Sequence, residues 1–280
     1  MSIQWPLVLF TLLTGTGAGS LIFIGLAEVL GFGDKARKSA GWVAAGLIVA
    51  GGLCSMAHLG QPANVMSAIS NLGSLSGISI ELILLAISTI VAVLYALVAR
   101  SKPTSASKAL GVVVLIVGLV FIWALGSSYM IGSRPAWSTV ALPFGYFGSG
   151  LALGGFLYLV QLVLAKDSAD DIKKVGLYVL VAAAVEVVAF LIFGVAAGQA
   201  ALADNGILFW AGVIIIGGVV PLIAAFLVWK HAERASLIYA GLAGALLGGL
   251  AFRALMWAVG NPAIANLFDV ASQNRGLYPF

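Results

Sequence analysis

Apolar residues run along this chain in long unbroken stretches, with polar residues confined to short gaps between them. A membrane-spanning helix needs about 20 such residues. Stretches of that length fall near 6–31, 40–57, 78–99, 109–130, 143–165, 175–200, 207–229 and 235–259. A transmembrane β-strand would instead show alternating polarity over about ten residues. The pattern therefore predicts an all-α integral membrane protein, residues 1–280 forming a single domain of eight transmembrane helices. Pro6 and Pro143 open the first and fifth runs, each followed by glycine-rich turns, so two four-helix halves in parallel orientation fit the order of spans. Glycine pairs four apart at Gly15/Gly19, Gly150/Gly154, Gly194/Gly198 and Gly244/Gly248 predict close helix crossings. Between the second and third runs, the stretch after Pro62 has the apolar spacing of a short helix lying in the interface.

Composition agrees with that pattern. The chain is 62% hydrophobic and 9% charged, against about 25% charged in a soluble domain. So few charges cannot cover a water-facing surface, which excludes a soluble enzyme and a nucleic-acid-binding domain. The single cysteine, Cys54, excludes internal disulfides, cysteine-ligated zinc and an iron–sulfur cluster held by this chain alone.

The charges that are present orient the bundle. Lys35, Arg37, Lys38, Arg100, Lys102, Lys108, Lys166, Lys173, Lys174, Lys230 and Arg234 all fall in alternate loops, while Arg134 and Arg275 fall in the others. The positive-inside rule makes the first set cytoplasmic and places both termini outside. The net charge of +4 is then topological and requires no nucleic-acid partner. Met1 to Trp5 carries no basic residue and the first run is too long for a cleaved signal peptide, so this helix is expected to stay in the mature protein. Trp5, Trp137, Trp210 and Trp257 are expected at the outer interface as an aromatic belt, with Trp42 and Trp229 at the inner one.

Ionisable residues inside spans are costly and need explaining. Glu28 lies roughly 33 Å from Pro6 at helical rise and is expected as a solvated glutamate near the cytoplasmic face. Glu186 falls roughly 15 Å into its run, where a protonated acid bonded to a neighbouring helix and a proton-relay group are both open. At the outer end, His58 closes the second run, Glu81 opens the third, and Gln199 closes the sixth. Arg253 reaches the same depth, roughly 27 Å along the eighth. Each has a bland account: a hydrated end residue for His58, helix-dipole stabilisation for Glu81, snorkelling for Arg253. Together they suit oxidation of a lipid-soluble quinol. A histidine accepts a hydroxyl proton, a partly buried carboxylate takes a proton and passes it to water, and an arginine stabilises negative charge developing on oxygen. Haem does not fit, because the two histidines, His58 and His231, are separated by about 30 Å of hydrocarbon.

The stretch His58-Leu59-Gly60-Gln61-Pro62, followed by Ala68-Ile69-Ser70-Asn71-Leu72, Ser74, Ser76 and Glu81, resembles the membrane anchor subunit of the dimethyl sulfoxide reductase family. The number of spans and the length agree with that family. The resemblance implies an anchor in the bacterial cytoplasmic (inner) membrane that binds menaquinol near its outer face. It also implies an iron–sulfur partner subunit with 4Fe–4S clusters and a catalytic subunit carrying molybdenum bis-pterin guanine dinucleotide. It ties His58 and Glu81 to menaquinol, with Gly60 and Pro62 in the same segment; Arg253 and Gln199 join them from depth and charge. Where the family has an aromatic residue, this chain has Gly77-Ile78. Two rivals remain at the level of sequence: a secondary transporter or proton-translocating protein, favoured by Glu186, and an anchor without quinol chemistry.

Overall fold

The structure, a computed structural model, describes residues 3–57, 66, 69–99, 103–232 and 234–260. Among the described residues, eight helices are long and apolar enough to cross a membrane and no strand occurs. They are α1 (Trp5–Leu30), α2 (Arg37–Met56), α3 (Gly77–Val98), α4 (Ser105–Ser127), α5 (Ala141–Leu164), α6 (Ala169–Ala197), α7 (Leu208–Lys230) and α8 (Ala235–Val259). The all-α, eight-span expectation holds. Some helices start earlier than their apolar runs, because caps rather than hydropathy decide where winding begins. α6 begins at Ala169, capped by Ser168, whose Oγ accepts from Asp171 N at 3.1 Å. Asp170 and Asp171 in its first turn complement the helix dipole. α4 opens with a Thr104/Ser107 capping box.

α7 changes pitch midway: Leu208–Val219 winds as a π-helix and Val220–Lys230 as an α-helix. The change falls beside Pro221, which has no N–H to give to an α-helical ladder.

The helices form two similar groups. α1 packs on α2 and α4, and α3 bridges those two; α5 packs on α6 and α8, and α7 bridges those. The groups meet chiefly where α1 lies against α5, the two most buried helices. Glycine makes that contact possible. A Cβ on Gly19 would collide with the Gly150 carbonyl, and a Cβ on Gly154 would collide with the Gly19 backbone. Ser20 Oγ also donates to the Gly154 carbonyl across the seam, at 3.4 Å.

Glu28 departs from its expected solvated state. It is fully buried and accepts hydrogen bonds from Tyr95 Oη of α3 at 2.7 Å and from Ser107 Oγ of α4. Arg37 Nε of α2 stands 3.6 Å away, and Arg37 is paired in turn with Asp34 at 2.6 Å. Four helices of one half are thus tied together at the end bearing the basic loops. A carboxylate near a helix end looks solvated when its own helix alone is considered; here three neighbours enclose it. At the same end, Asp167 accepts from the backbone N–H groups of Lys35 (3.1 Å) and Ala36 (3.0 Å), which links the two halves.

Because α6 starts at Ala169, Glu186 lies roughly 25 Å along it, deeper than its apolar run suggests. It is fully buried, its backbone lies against Gly148, and neither carboxylate oxygen has a hydrogen-bond partner among the described residues. Of the two readings open for it, an acid bonded to a neighbouring helix is not found among the described residues.

Gly19→Leu should force α1 and α5 apart and lower stability by about 1–3 kcal/mol. Gly46→Ala, where an added Cβ meets nothing within 4 Å, should leave it unchanged. Thermal unfolding of the detergent-solubilised protein, followed by circular dichroism, checks both.

Candidate functional site

The end of the bundle opposite the basic loops holds a cavity of about 630 Å³. Its walls come from the start of α1 (Gln4, Leu7, Phe10), the end of α2 (Val49 to Met56) and the start of α3 (Ile78, Glu81, Leu82, Leu85). The loop between α4 and α5 adds Ser128, Tyr129, Ile131, Arg134 and Trp137, and α8 adds Trp257. The lining is mainly apolar, with few charged or polar groups converging on it, and its size lies within the roughly 300–1,000 Å³ usual for small-molecule sites.

Local structure in α3 sets the carboxylate in place. Ser76 caps the helix by accepting from Ser79 N at 3.3 Å, and Ser79 Oγ donates to the Asn71 carbonyl at 3.1 Å. Gly77 then lies against Ser128, where an added Cβ would come within 3.3 Å of the serine Cβ. Ile78, the other half of the Gly77-Ile78 pair, lines the cavity. This close fit brings Ser128 Oγ to Glu81 Oε1, to which it donates at 2.6 Å. The first turn of α3 carries no acidic residue, and Glu81 stands in the second. The cavity and Ser128 therefore account for its position better than the helix dipole does.

Ser128 can serve either protonation state of this carboxyl. Its one O–H donates to an ionised Glu81. It can turn instead to the Leu125 carbonyl, 3.1 Å away, and leave a lone pair for a protonated Glu81. A proton can then arrive or leave without stranding a buried polar group.

Aromatic rings form the wall beside this pair. Trp137 and Trp257 meet edge to face at 5.1 Å, and Tyr129 stacks on Tyr146 at 5.9 Å. Burial pushes the Tyr129 hydroxyl well above its ordinary range, with Tyr146 and Glu81 adding to the shift and Arg253 opposing it. It stays a neutral donor at physiological pH.

Of the residues expected here, Glu81 lines the cavity. His58, Gly60 and Pro62 lie outside the described residues. Arg253 is fully buried one layer behind the cavity, between α1, α5 and α8. Its Nε donates to Thr11 Oγ1 at 2.9 Å, its Nη1 to Ser149 Oγ at 3.2 Å and the Gly249 carbonyl at 3.0 Å, and its Nη2 to the Thr11 carbonyl at 3.1 Å. It does not snorkel and is not among the lining residues. Gln199 is exposed, opens a short helix (Gln199–Ala203) after α6, and is not a lining residue either.

The structure adds Ser128, Arg134, Trp137 and Trp257. Trp137 is 2% exposed and donates its Nε1 to the Met256 carbonyl at 2.7 Å, so neither it nor the buried Trp257 is a belt residue. Trp5 and Trp210, at 53% and 57% exposed, are free to play that part. The crowding of Arg134, Pro135 and Trp137 in one short loop was the available signal.

A family model described as DMSO reductase anchor subunit (DmsC) matches residues 1–203. The protein is 28% identical over 171 residues to the YnfH chain of an anaerobic dimethyl sulfoxide reductase of Escherichia coli strain K12, covering 58% of this sequence and 59% of that one. It is 29% identical over 172 residues to the C subunit of the anaerobic dimethyl sulfoxide reductase of the same strain, covering 58% of each. It is 26% identical over 166 residues to the corresponding C subunit of Haemophilus influenzae, covering 58% of this sequence and 59% of that one. The match thus spans less than two thirds of the length of these relatives.

Ser128→Ala should cost about 1–3 kcal/mol by removing the partner of a half-buried carboxyl. In a double-mutant cycle with Glu81→Leu, measured by denaturant unfolding of the solubilised protein, a coupling of about 1 kcal/mol or more is expected. Additive effects would mean that the two side chains do not depend on one another.

Proposed function

The chain belongs to the family of DMSO reductase anchor subunits, and on that premise we propose that it anchors a molybdenum oxidoreductase complex and oxidises menaquinol in the cavity beside Glu81. The observation that carries this reading is one carboxylate, hydrogen-bonded to Ser128, set in the wall of an otherwise mainly apolar cavity of about 630 Å³. A hydrophobic quinol ring needs such walls, and each of its two hydroxyl groups needs an acceptor for its proton.

In this reading the quinol gives up two electrons and two protons and leaves as the quinone. Glu81 takes one proton, with Ser128 switching its hydrogen bond to accommodate it. His58 accepts from the other hydroxyl; it follows in sequence directly after the end of α2, whose Met56 lines the cavity. The electrons pass to an iron–sulfur subunit, and from there to a catalytic subunit holding the molybdenum bis-pterin guanine dinucleotide. The crowding of basic residues into alternate loops supports a cytoplasmic position for those loops and an outer position for the cavity and both termini; in this reading the partner subunits sit on the same outer side. Protons and electrons then both leave on the outer side of the inner membrane, and quinol oxidation moves no net charge across it.

The test uses the assembled complex in membranes, with reduction of the partner's clusters by a reduced naphthoquinone as the readout. Glu81→Gln and His58→Ala should each lower the rate by roughly 10²-fold while assembly is retained. Wild-type rates in both assembled variants would overturn the assignment.

A further inference from the structure

Oxidation of a quinol passes through a stage at which one oxygen has lost its proton and carries negative charge. In a mainly apolar cavity that charge needs a fixed positive partner, because apolar walls offer it no dipoles. Arg253 is the cation expected from sequence. It is not among the lining residues, however, and points to Thr11, Ser149 and Gly249 behind the cavity wall.

The one basic side chain among the described lining residues is Arg134. Its guanidinium lies over the Trp137 ring, 4.4 Å from the centroid, and its Nη1 donates to the Gly260 carbonyl at 2.6 Å. The ring beneath it is itself fixed, buried and bonded to the Met256 carbonyl. Gly260 fits against the same ring, where an added Cβ would come within 2.6 Å of it. The α4–α5 loop therefore holds the cation in place with an aromatic face and the end of α8. Such preorganisation suits stabilising a charge that appears only during reaction.

We propose that Arg134 is the anion-stabilising residue of the quinol cavity, holding the oxygen that has lost its proton while Glu81 receives a proton elsewhere in the same chamber. The proposal rests on the quinol reading above and adds the residue that recognises the charged form of the ring. A guanidinium that only met lipid phosphate at the interface would not distinguish between ligands in the cavity.

The test is equilibrium binding of two probes to the assembled, detergent-solubilised complex. One is 2-methyl-1,4-naphthoquinone, which is neutral, and the other is 2-hydroxy-1,4-naphthoquinone, which is anionic at neutral pH. Arg134→Met should weaken the anion by roughly tenfold or more, as loss of a charge-assisted hydrogen bond does, and should leave the neutral probe near its wild-type affinity. Arg134→Lys keeps a charge without the planar fork and should retain part of the preference for the anion; it also stands in if the methionine variant does not assemble. Equal weakening of both probes, or no weakening of the anion in either variant, overturns the assignment. The two readings fail in different ways. If the wild-type complex binds neither probe, the quinol site itself is wrong and Arg134 falls with it. If Glu81→Gln alters probe binding and the Arg134 variants do not, the site stands without Arg134.

Discussion

A polar group in hydrocarbon must find its partner inside the protein, because lipid offers none. Most of this architecture can be understood from that constraint. With 9% of its residues charged, the chain has few groups to answer for, and at Glu28 and Arg253 it answers for them by joining helices. Glu28 draws bonds from α3 and α4 and stands beside the arginine of α2, which ties the first half together at its basic end. Arg253 does the same work nearer the opposite end, reaching from α8 to α1 and α5 and so stitching one half to the other. Between these two points the halves touch through glycine, where α1 and α5 come too close for any side chain. The first half is thus tied at its basic end, and the two halves are joined near the end that holds the cavity.

The cavity departs from the rule in a useful way. Its carboxylate has a partner in Ser128 that can turn between two acceptors, so Glu81 is neither locked as an ion nor stranded as an acid. Its cation is carried on a tryptophan face. These are the properties expected of a chamber that handles protons and a transient charge. The structural charges at Glu28 and Arg253 show the opposite design, with several fixed partners each. Glu186, buried with neither oxygen bonded among the described residues, belongs to neither group and is not used by the proposed chemistry.

The spans were legible in the sequence because a run of about 20 apolar residues has few other uses, and Glu81 was legible because a carboxylate inside such a run is costly. What could not be read was which helices face one another. Arg253 was expected near the outer face from its position along α8, yet depth says nothing of rotation, and α8 turns it toward Thr11 and Ser149. Glu28 looked solvated from its place at a helix end, since the enclosing Tyr95 and Ser107 lie on helices 67 and 79 residues further along. Trp137 and Trp257 were grouped with interfacial tryptophans because composition cannot separate a ring facing lipid from one facing a cavity. Arg134 was counted only as a loop charge, its contact with that same ring being hidden in the sequence.

In the proposed reading the quinol ring occupies the chamber between α3 and the α4–α5 loop. Photo-crosslinking tests it most directly, using a naphthoquinone bearing a diazirine, the assembled complex in native membranes, and peptide mapping of the adducts. Adducts are expected within residues 78–85 and 128–137, disappearing when excess menaquinone competes. Competable adducts confined to α6 and α7 would place the quinol elsewhere and contradict it.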